Sequence, residues 1–229
     1  MSEANEPFTV DIVSDVVCPW CFIGKRHLEA ALAQLPDAGG AIVRWHPFEL
    51  NPELPAEGVE RKHYLEAKFG GSERAAQIYA RVREAGERAG IAFDFDAILR
   101  QPNTREVHRL IAWAQANGEA DALVERLFRA YFLDGRDLTK RDTLVALAAE
   151  AGVDPEAARN WLDSGRGLQE IGQAEVRARE LGITGVPFFI FDGRIGLSGA
   201  HPPETIRDAI RQARSEPINR PDAMAWRQT

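Results

Sequence analysis

Cys18 and Cys21 are the only cysteines in this 229-residue chain, and two residues, Pro19 and Trp20, separate them. Thiols paired at that spacing either exchange disulfides or supply half of a metal site. A tetrahedral zinc site needs four ligands, and the chain has no second cysteine pair to complete one. His27 and His46, the nearest histidines in sequence, stand at no recognised ligand spacing, so no metal is expected. A secreted disulfide framework would spread four or more cysteines along the chain. What remains is a redox-active pair or an inert structural one, and the position of the motif separates the two.

Residues 8–14 (Phe-Thr-Val-Asp-Ile-Val-Ser) have the β-branched composition of a strand. After Cys18 the period changes: Cys21, Leu28, Leu32 and Leu35 fall on one helical face, and Pro36 is expected to stop the helix. Cys18 therefore sits where a strand hands over to a helix, not inside an apolar stripe. Its sulfur is expected beside the unpaired N–H groups and the positive end of the macrodipole, which favour a thiolate over a thiol. Cysteines activated in this way titrate at roughly 3.5–7.5, against about 8.5 for a free thiol. The thiolate is the nucleophile, so Cys18 is the expected attacking residue. Cys21 lies nearly one turn further on and less exposed, placed to resolve a mixed disulfide. Pro19 suits the first helical turn, where its missing N–H is not needed.

These thiols need elements to position them. Residues 41–48 read as a second strand, which completes a βαβ unit with parallel strands and a right-handed crossover. From about Glu60 to Leu181 the pattern is helical throughout. Ser72 is the expected cap of a helix bearing Ile78, Val82, Ala85 and Ala89 and ended by Gly90. Asn103 with Glu106 has capping-box spacing, Thr139 with Asp142 opens a later helix, and Asp154-Pro155 opens another. Trp113 and Trp161 sit on apolar faces and read as core or groove wall. Gly182 stops the last of these helices. Strands return at Pro187-Phe-Phe-Ile-Phe191 and Arg194-Ile-Gly-Leu-Ser198, joined by the hairpin signal Asp192-Gly193, and a helix from about Pro203 carries Ile206 and Ile210.

The fold class is thus α/β. Residues 1–55 and 170–214 are expected to close one thioredoxin-like domain, because neither half-sheet can bury its faces alone. Residues 56–169 form a helical insertion between the βαβ and αββα halves, and 215–229 a loosely held tail.

The 45% apolar content supports a full core without disulfide staples. A net charge of −7 with scattered basic residues argues against nucleic acid and against a polybasic membrane anchor. No charged segment followed by an apolar one opens the chain, and no apolar run reaches membrane-span length, so the expected address is the cytoplasm.

A second signal is Gly185-Val186-Pro187 ahead of an apolar strand. Taken alone, Pro187 reads as a trans, strand-opening proline. With the other motifs it carries more. Ser14-Asp-Val-Val-Cys-Pro-Trp-Cys-Phe-Ile-Gly-Lys25, Trp45-His-Pro-Phe-Glu-Leu-Asn-Pro52, Pro102-Asn-Thr104, Val107-His-Arg-Leu110, Phe128-Arg-Ala-Tyr-Phe132, Gly182-Ile-Thr-Gly-Val-Pro-Phe-Phe189 and Leu197-Ser-Gly-Ala-His201 follow one another along nearly the whole chain. Together they resemble the DsbA-like branch of the thioredoxin superfamily. More narrowly, they resemble FrnE-type members, grouped with 2-hydroxychromene-2-carboxylate isomerases and kappa-class glutathione transferases.

The resemblance implies a cis Val186–Pro187 bond packed against the cysteines, with the Val186 backbone open to pair with an extended substrate segment. It also implies a groove in which Pro19, Trp20, Asn103, Gly185 and the turn Ser198-Gly199-Ala200 lie near a bound thiol ligand. For Asn103 a plain helix cap is the competing reading. The isomerase and transferase relatives usually carry serine in place of the reactive cysteine, whereas both thiols are present here, which favours redox chemistry. Lys25 and His27 are expected to face solvent. Asp11 and Asp15 flank the motif, and either one is a candidate proton acceptor for the resolving thiol.

The leading expectation is therefore a protein-disulfide reductase, isomerase or oxidase. Its partners are thiol- or disulfide-bearing proteins or peptides, with no tightly bound cofactor and with glutathione as a candidate co-substrate. Reductase or isomerase work fits a reducing compartment better than net oxidation. The competing functions are a glutathione-dependent isomerase or transferase of a small aromatic substrate, and a non-catalytic peptide-binding module. The sequence leaves monomer and homodimer equally open.

Overall fold

The computed structural model describes residues 8–35, 40–118 and 120–215; the expected stop at Pro36 and residues 216–229 of the expected tail lie outside them. In chain order the elements are β1 (Thr9–Ser14), α1 (Pro19–Ala33), β2 (Ile42–Pro47), β3 (Val59–Glu60), α2 (Arg61–Phe69), α3 (Ser72–Arg88) and β4 (Arg100–Gln101). There follow α4 (Arg105–Ala116), α5 (Ala120–Phe132), α6 (Arg141–Glu150), α7 (Pro155–Asp163), α8 (Leu168–Glu180), β5 (Phe188–Phe191), β6 (Ile195–Ser198) and α9 (Pro203–Ser215).

The two ends of the chain meet in one sheet of order β2-β1-β5-β6. β1 runs parallel to β2 and antiparallel to β5, with Ile12 opposite Trp45 on one side and Phe189 on the other. Alternation along the strands divides the apolar side chains between two faces. Val10, Ile12, Phe189 and Phe191 join Phe22 and Leu28 of α1 and Ile206 and Ile210 of α9 in the main core. Val13 and Ile190 point the other way, against Ala178 of α8 and Ile183. This is the expected mixed α/β arrangement, with β1 central and both of its neighbours in place.

The β5–β6 turn follows the sequence signal. Asp192 and Gly193 both take positive φ, 54° and 67°, and Arg194 N–H closes the turn on Phe191 O at 2.9 Å. This backbone suits the twist of a two-residue hairpin, and Asp-Gly is among the few pairs that accept it. Asp154 caps α7 as expected, its carboxylate accepting from Glu156 N–H at 2.9 Å.

Several local expectations need correction. The stretch from Glu60 to Leu181 is not helical throughout: β3 and β4 form a two-residue antiparallel pair, Val59 opposite Gln101. Strands that short have too few residues to show alternation. Ser72 is the first helical residue of α3, and the cap is Gly71 at φ 123°, a backbone that serine disfavours. Thr139 does not cap α6; its hydroxyl and N–H both bond Asp137, at 2.7 and 2.9 Å, and Lys140 takes the cap position. At α4 the cap position is Thr104, and the capping box does not close, because Glu106 pairs with Arg109 at 2.6 Å.

Candidate active site

Cys18 is the N-cap of α1, with extended backbone (φ −93°, ψ 110°), and Pro19 occupies the first helical position. A turn delivers it: Cys18 N–H bonds Asp15 O at 3.0 Å, which folds the chain back at the end of β1. The first turn of α1 carries no acidic residue, so no carboxylate compensates the positive end of the helix. Trp20 stands 41% exposed beside the motif, whereas Cys18 and Cys21 are 5% and 2% exposed. Both thiols are free. Cys21 is the more buried, as expected for the second sulfur. Burial, followed by hydrogen bonding and charge from Cys18, pushes its thiol well above the ordinary cysteine value, while the Ser14 hydroxyl and the Asp15 backbone pull the other way.

The opposite wall comes from the far end of the chain. The Val186–Pro187 peptide is cis, and the Cys18 thiol donates to the Val186 carbonyl oxygen at 3.5 Å. Helix α1 approaches this strand closely at Gly24. A Cβ there would lie 3.1 Å from Pro187 Cγ and 3.0 Å from Phe189 Cζ, so glycine sets the distance between the motif and the proline loop. Gly185 precedes that loop. Ser198 pairs with Phe188 across the hairpin, Gly199 N–H donates to Pro187 O at 2.8 Å, and Ala200 packs at the edge of the core. The predicted residues at both ends of the chain are thus brought together.

Asn103 is engaged elsewhere. Its amide nitrogen donates to Pro52 O and Leu54 O, at 3.4 and 2.9 Å, and its oxygen accepts from Arg105 N–H at 3.0 Å. It ties the start of α4 to the loop after β2. Trp113 and Trp161 stack with ring centroids 6.4 Å apart, at the α4–α7 contact.

Lys25 does not face solvent, and His27 does so only in part. Lys25 is 3% exposed, and its ammonium meets Glu29 of its own helix, Asp121 at 3.5 Å and Glu125 at 3.3 Å on α5. Burial alone would lower its pKa, but the Glu29 hydrogen bond and the three carboxylate charges outweigh that and raise it. Its cation thus fixes α1 to α5. His27 is half-buried, with Nδ1 2.9 Å from His201 O, and His201 Nε2 lies 2.9 Å from Ser198 O. These contacts lace α1 to the turn after β6.

The flanking acids separate by role. Asp11 bonds His46 Nε2 at 2.7 Å. Burial is the larger influence on His46 and holds it below the ordinary histidine range despite that partner. Asp15, at 0% exposure, accepts from Leu50 N–H at 2.8 Å and has His108 Nε2 3.5 Å from its other oxygen. Sequence reasoning missed Ser14, Gly24 and His108 as parts of this site. All three lie within motifs that carried the resemblance, His108 in Val107-His-Arg-Leu110, but no local pattern ties His108 to the cysteines.

A family model for the DsbA-like thioredoxin domain matches residues 9–211, nearly the whole described chain. The chain belongs to the DsbA-like thioredoxin family. A DsbA-like structure from Streptomyces coelicolor, a probable DsbA oxidoreductase, is 34% identical with a TM-score of 0.84, covering 92% of each chain. The cytosolic disulfide reductase DsbM of Pseudomonas aeruginosa has the same fold at 24% identity and a TM-score of 0.64, covering 89% of this chain and 97% of that one. DsbM has also been solved with GSH. The uncharacterized protein YwbO of Bacillus subtilis (strain 168) is 25% identical over 207 residues, which is 88% of this chain and 94% of its own. The chain thus belongs to a family of DsbA-like thiol oxidoreductases, and it carries a cysteine pair at the start of α1 with a cis proline opposite.

Proposed function

We propose that this protein reduces or isomerises disulfides of protein and peptide substrates, with Cys18 attacking and Cys21 resolving. The observation that carries this reading is the placement of Cys18 as N-cap of α1, 3.5 Å from the Val186 carbonyl oxygen, with a second thiol buried behind it. The helix start favours negative charge on an attacking sulfur, and the Val186 backbone offers an extended substrate a place to pair. Attack by Cys18 gives a mixed disulfide and releases one substrate thiol. Attack by Cys21 on Cys18 then releases the other and leaves the enzyme oxidised.

Glutathione is the small thiol proposed to share this groove, supported by the GSH-bound structure of DsbM, which shares the fold. The proposed location is the cytoplasm, where a dithiol resting state suits reductive work. Among the described residues no helix is long and apolar enough to cross a membrane.

Insulin reduction tests the reading. The wild-type protein with a thiol donor should precipitate insulin chains, and Cys18→Ser should abolish that activity. Undiminished turnover by Cys18→Ser would overturn the assignment.

A further inference from the structure

Helix α1 carries both thiols at its start, while the backbone that faces Cys18 comes from the loop before β5. Two contacts hold these pieces together: the Cys18 thiol on the Val186 carbonyl oxygen at 3.5 Å, and Gly24, where α1 packs against Pro187. A third tie runs through residues 198–201, at the end of β6, and ends on two histidines.

Gly199 N–H donates to Pro187 O at 2.8 Å, which fastens the turn to the cis proline. Gly199 has φ 98°, in the left-handed region that favours glycine. The His201 imidazole lies over it: the atoms nearest a Cβ built at Gly199 would be His201 Cδ2 and Nε2, both at 4.0 Å. The ring reaches back so that Nε2 is 2.9 Å from Ser198 O, and the backbone N–H of His201 donates to Gly199 O at 3.0 Å. His201 O lies 2.9 Å from Nδ1 of His27. His27 stands three positions after Gly24, on the same side of α1. A carbonyl oxygen only accepts, so His27 carries a proton on Nδ1 and His201 carries one on Nε2. The path from α1 to the proline loop is continuous: the His27 ring, the His201 carbonyl, the turn, and the Gly199 N–H on Pro187 O.

We propose that His27 and His201 are positioning residues that hold the Val186–Pro187 loop against Cys18 and thereby set the affinity for extended peptide disulfides. This rests on the dithiol reading above and deepens it, since it concerns which disulfides the site takes. An extended peptide pairs with the Val186 backbone while its sulfur meets Cys18, so its binding depends on the gap between loop and helix. A small disulfide needs only the sulfur. The two imidazole bonds end on backbone oxygens and not on a thiol, so losing them leaves Cys18 in place at the start of α1.

A short synthetic peptide, carrying one cysteine as its mixed disulfide with thionitrobenzoate, tests this. Dithiobis(nitrobenzoate) is the control, with the same leaving group and no peptide. When Cys18 attacks the peptide sulfur, a bond forms between those two sulfurs and the bond to thionitrobenzoate breaks. Thionitrobenzoate leaves with the electron pair and is read by its absorbance. In the first release from the reduced protein, His201→Ala and His27→Ala should raise the half-saturating peptide concentration about fivefold. The limiting rate, and the rate with dithiobis(nitrobenzoate), should stay within about twofold of wild type. His201→Gln and His27→Asn place an amide nitrogen at the same depth along the side chain as Nε2 and Nδ1, and should restore the wild-type concentration.

Where His27→Ala fails to fold, His201→Ala, at a half-buried residue, decides. A wild-type half-saturating concentration in the alanine variants overturns the proposal. So does equal slowing with both reagents, and so do amide variants that bind the peptide no better than the alanine ones. Failure of the underlying dithiol reading looks different: Cys18→Ser would release thionitrobenzoate from either reagent at the wild-type rate.

Discussion

The Cys18 thiol donates to the Val186 carbonyl oxygen at 3.5 Å, although the two residues are 168 positions apart in sequence. Two pieces of chain that are remote in sequence thereby form one site, with the attacking sulfur facing the backbone on which a substrate would lie. If a disulfide is captured there, the product of the first step depends on the second thiol alone. Cys21→Ser, incubated with oxidised glutathione, should therefore hold one glutathione on Cys18, read by intact mass. The wild-type protein should accumulate its internal disulfide instead. An unmodified Cys21→Ser protein would remove Cys18 as the attacking group, and retained isomerisation of a small aromatic substrate by that variant would favour the glutathione-dependent alternative.

Gly24 controls how closely α1 approaches the proline loop. Alanine at a helix-interior glycine ordinarily gains up to about 1 kcal/mol. Here its methyl would press on Pro187 and Phe189 at 3.1 and 3.0 Å, and overpacking costs roughly 1–3 kcal/mol. Gly24→Ala should lower stability in urea unfolding by about 1 kcal/mol and slow insulin reduction, because the motif is pushed away from Val186. A stabilised, fully active variant would show that the two rings give way.

The buried second thiol makes the reduced protein sensitive to alkali. Cys21 keeps its proton in the folded state to a higher pH than in the unfolded chain, chiefly because of burial. Above an unfolded value of about 8.5 the unfolded chain has lost that proton while the folded state retains it. Stability is therefore complete below that value and falls as pH rises toward the folded one, by at most about 1.4 kcal/mol per pH unit. Urea midpoints of the reduced wild-type protein should fall more steeply than those of Cys21→Ala between about pH 8 and pH 10. Parallel midpoints would contradict the burial of this thiol.

Arg109 is fully buried in α4 and holds the end of α7. Its guanidinium donates to Arg166 O at 2.7 Å, Trp161 O at 3.1 Å and Leu162 O at 3.4 Å, and pairs with Glu106. These carbonyls lie in and just beyond the last turn of α7, where a cation also meets the negative end of the helix. Arg109→Leu takes this donor from Arg166 O and Leu162 O, while Trp161 O keeps Ser164, and should cost about 2–4 kcal/mol in urea unfolding. Arg109→Lys should recover only part of that, since one ammonium cannot span the fan. Loss below about 0.5 kcal/mol in the leucine variant would show that water replaces the guanidinium.

Much of this molecule was legible in one dimension, because the signals were local. Cys18 could be placed at the start of a helix from the change of period around it and from Pro19. The Asp192-Gly193 turn and the Asp154 cap each depend on the backbone preferences of one or two residues. Where a local signal had close rivals, the placement slipped by a residue, as at Ser72 beside Gly71 and at Thr139, whose hydroxyl Asp137 had already taken.

Lys25 shows the other kind of failure. A lysine on a helix reads as a solvent-facing charge, and only the arrival of Asp121 and Glu125 from α5 makes burial tolerable. His108 was equally hidden, since nothing near it in sequence points to Asp15 or Ser14.

The sequence by itself determined the chemistry available, two thiols one turn apart at the opening of a helix, together with the alternation and turns that make the strands. The tertiary structure decided what those thiols face: Val186 in front of Cys18, and the Ser14 hydroxyl and Asp15 backbone beside the buried Cys21. Period and propensity act over a few residues, whereas contacts between buried polar groups exist only once the sheet has closed and water has been excluded around them.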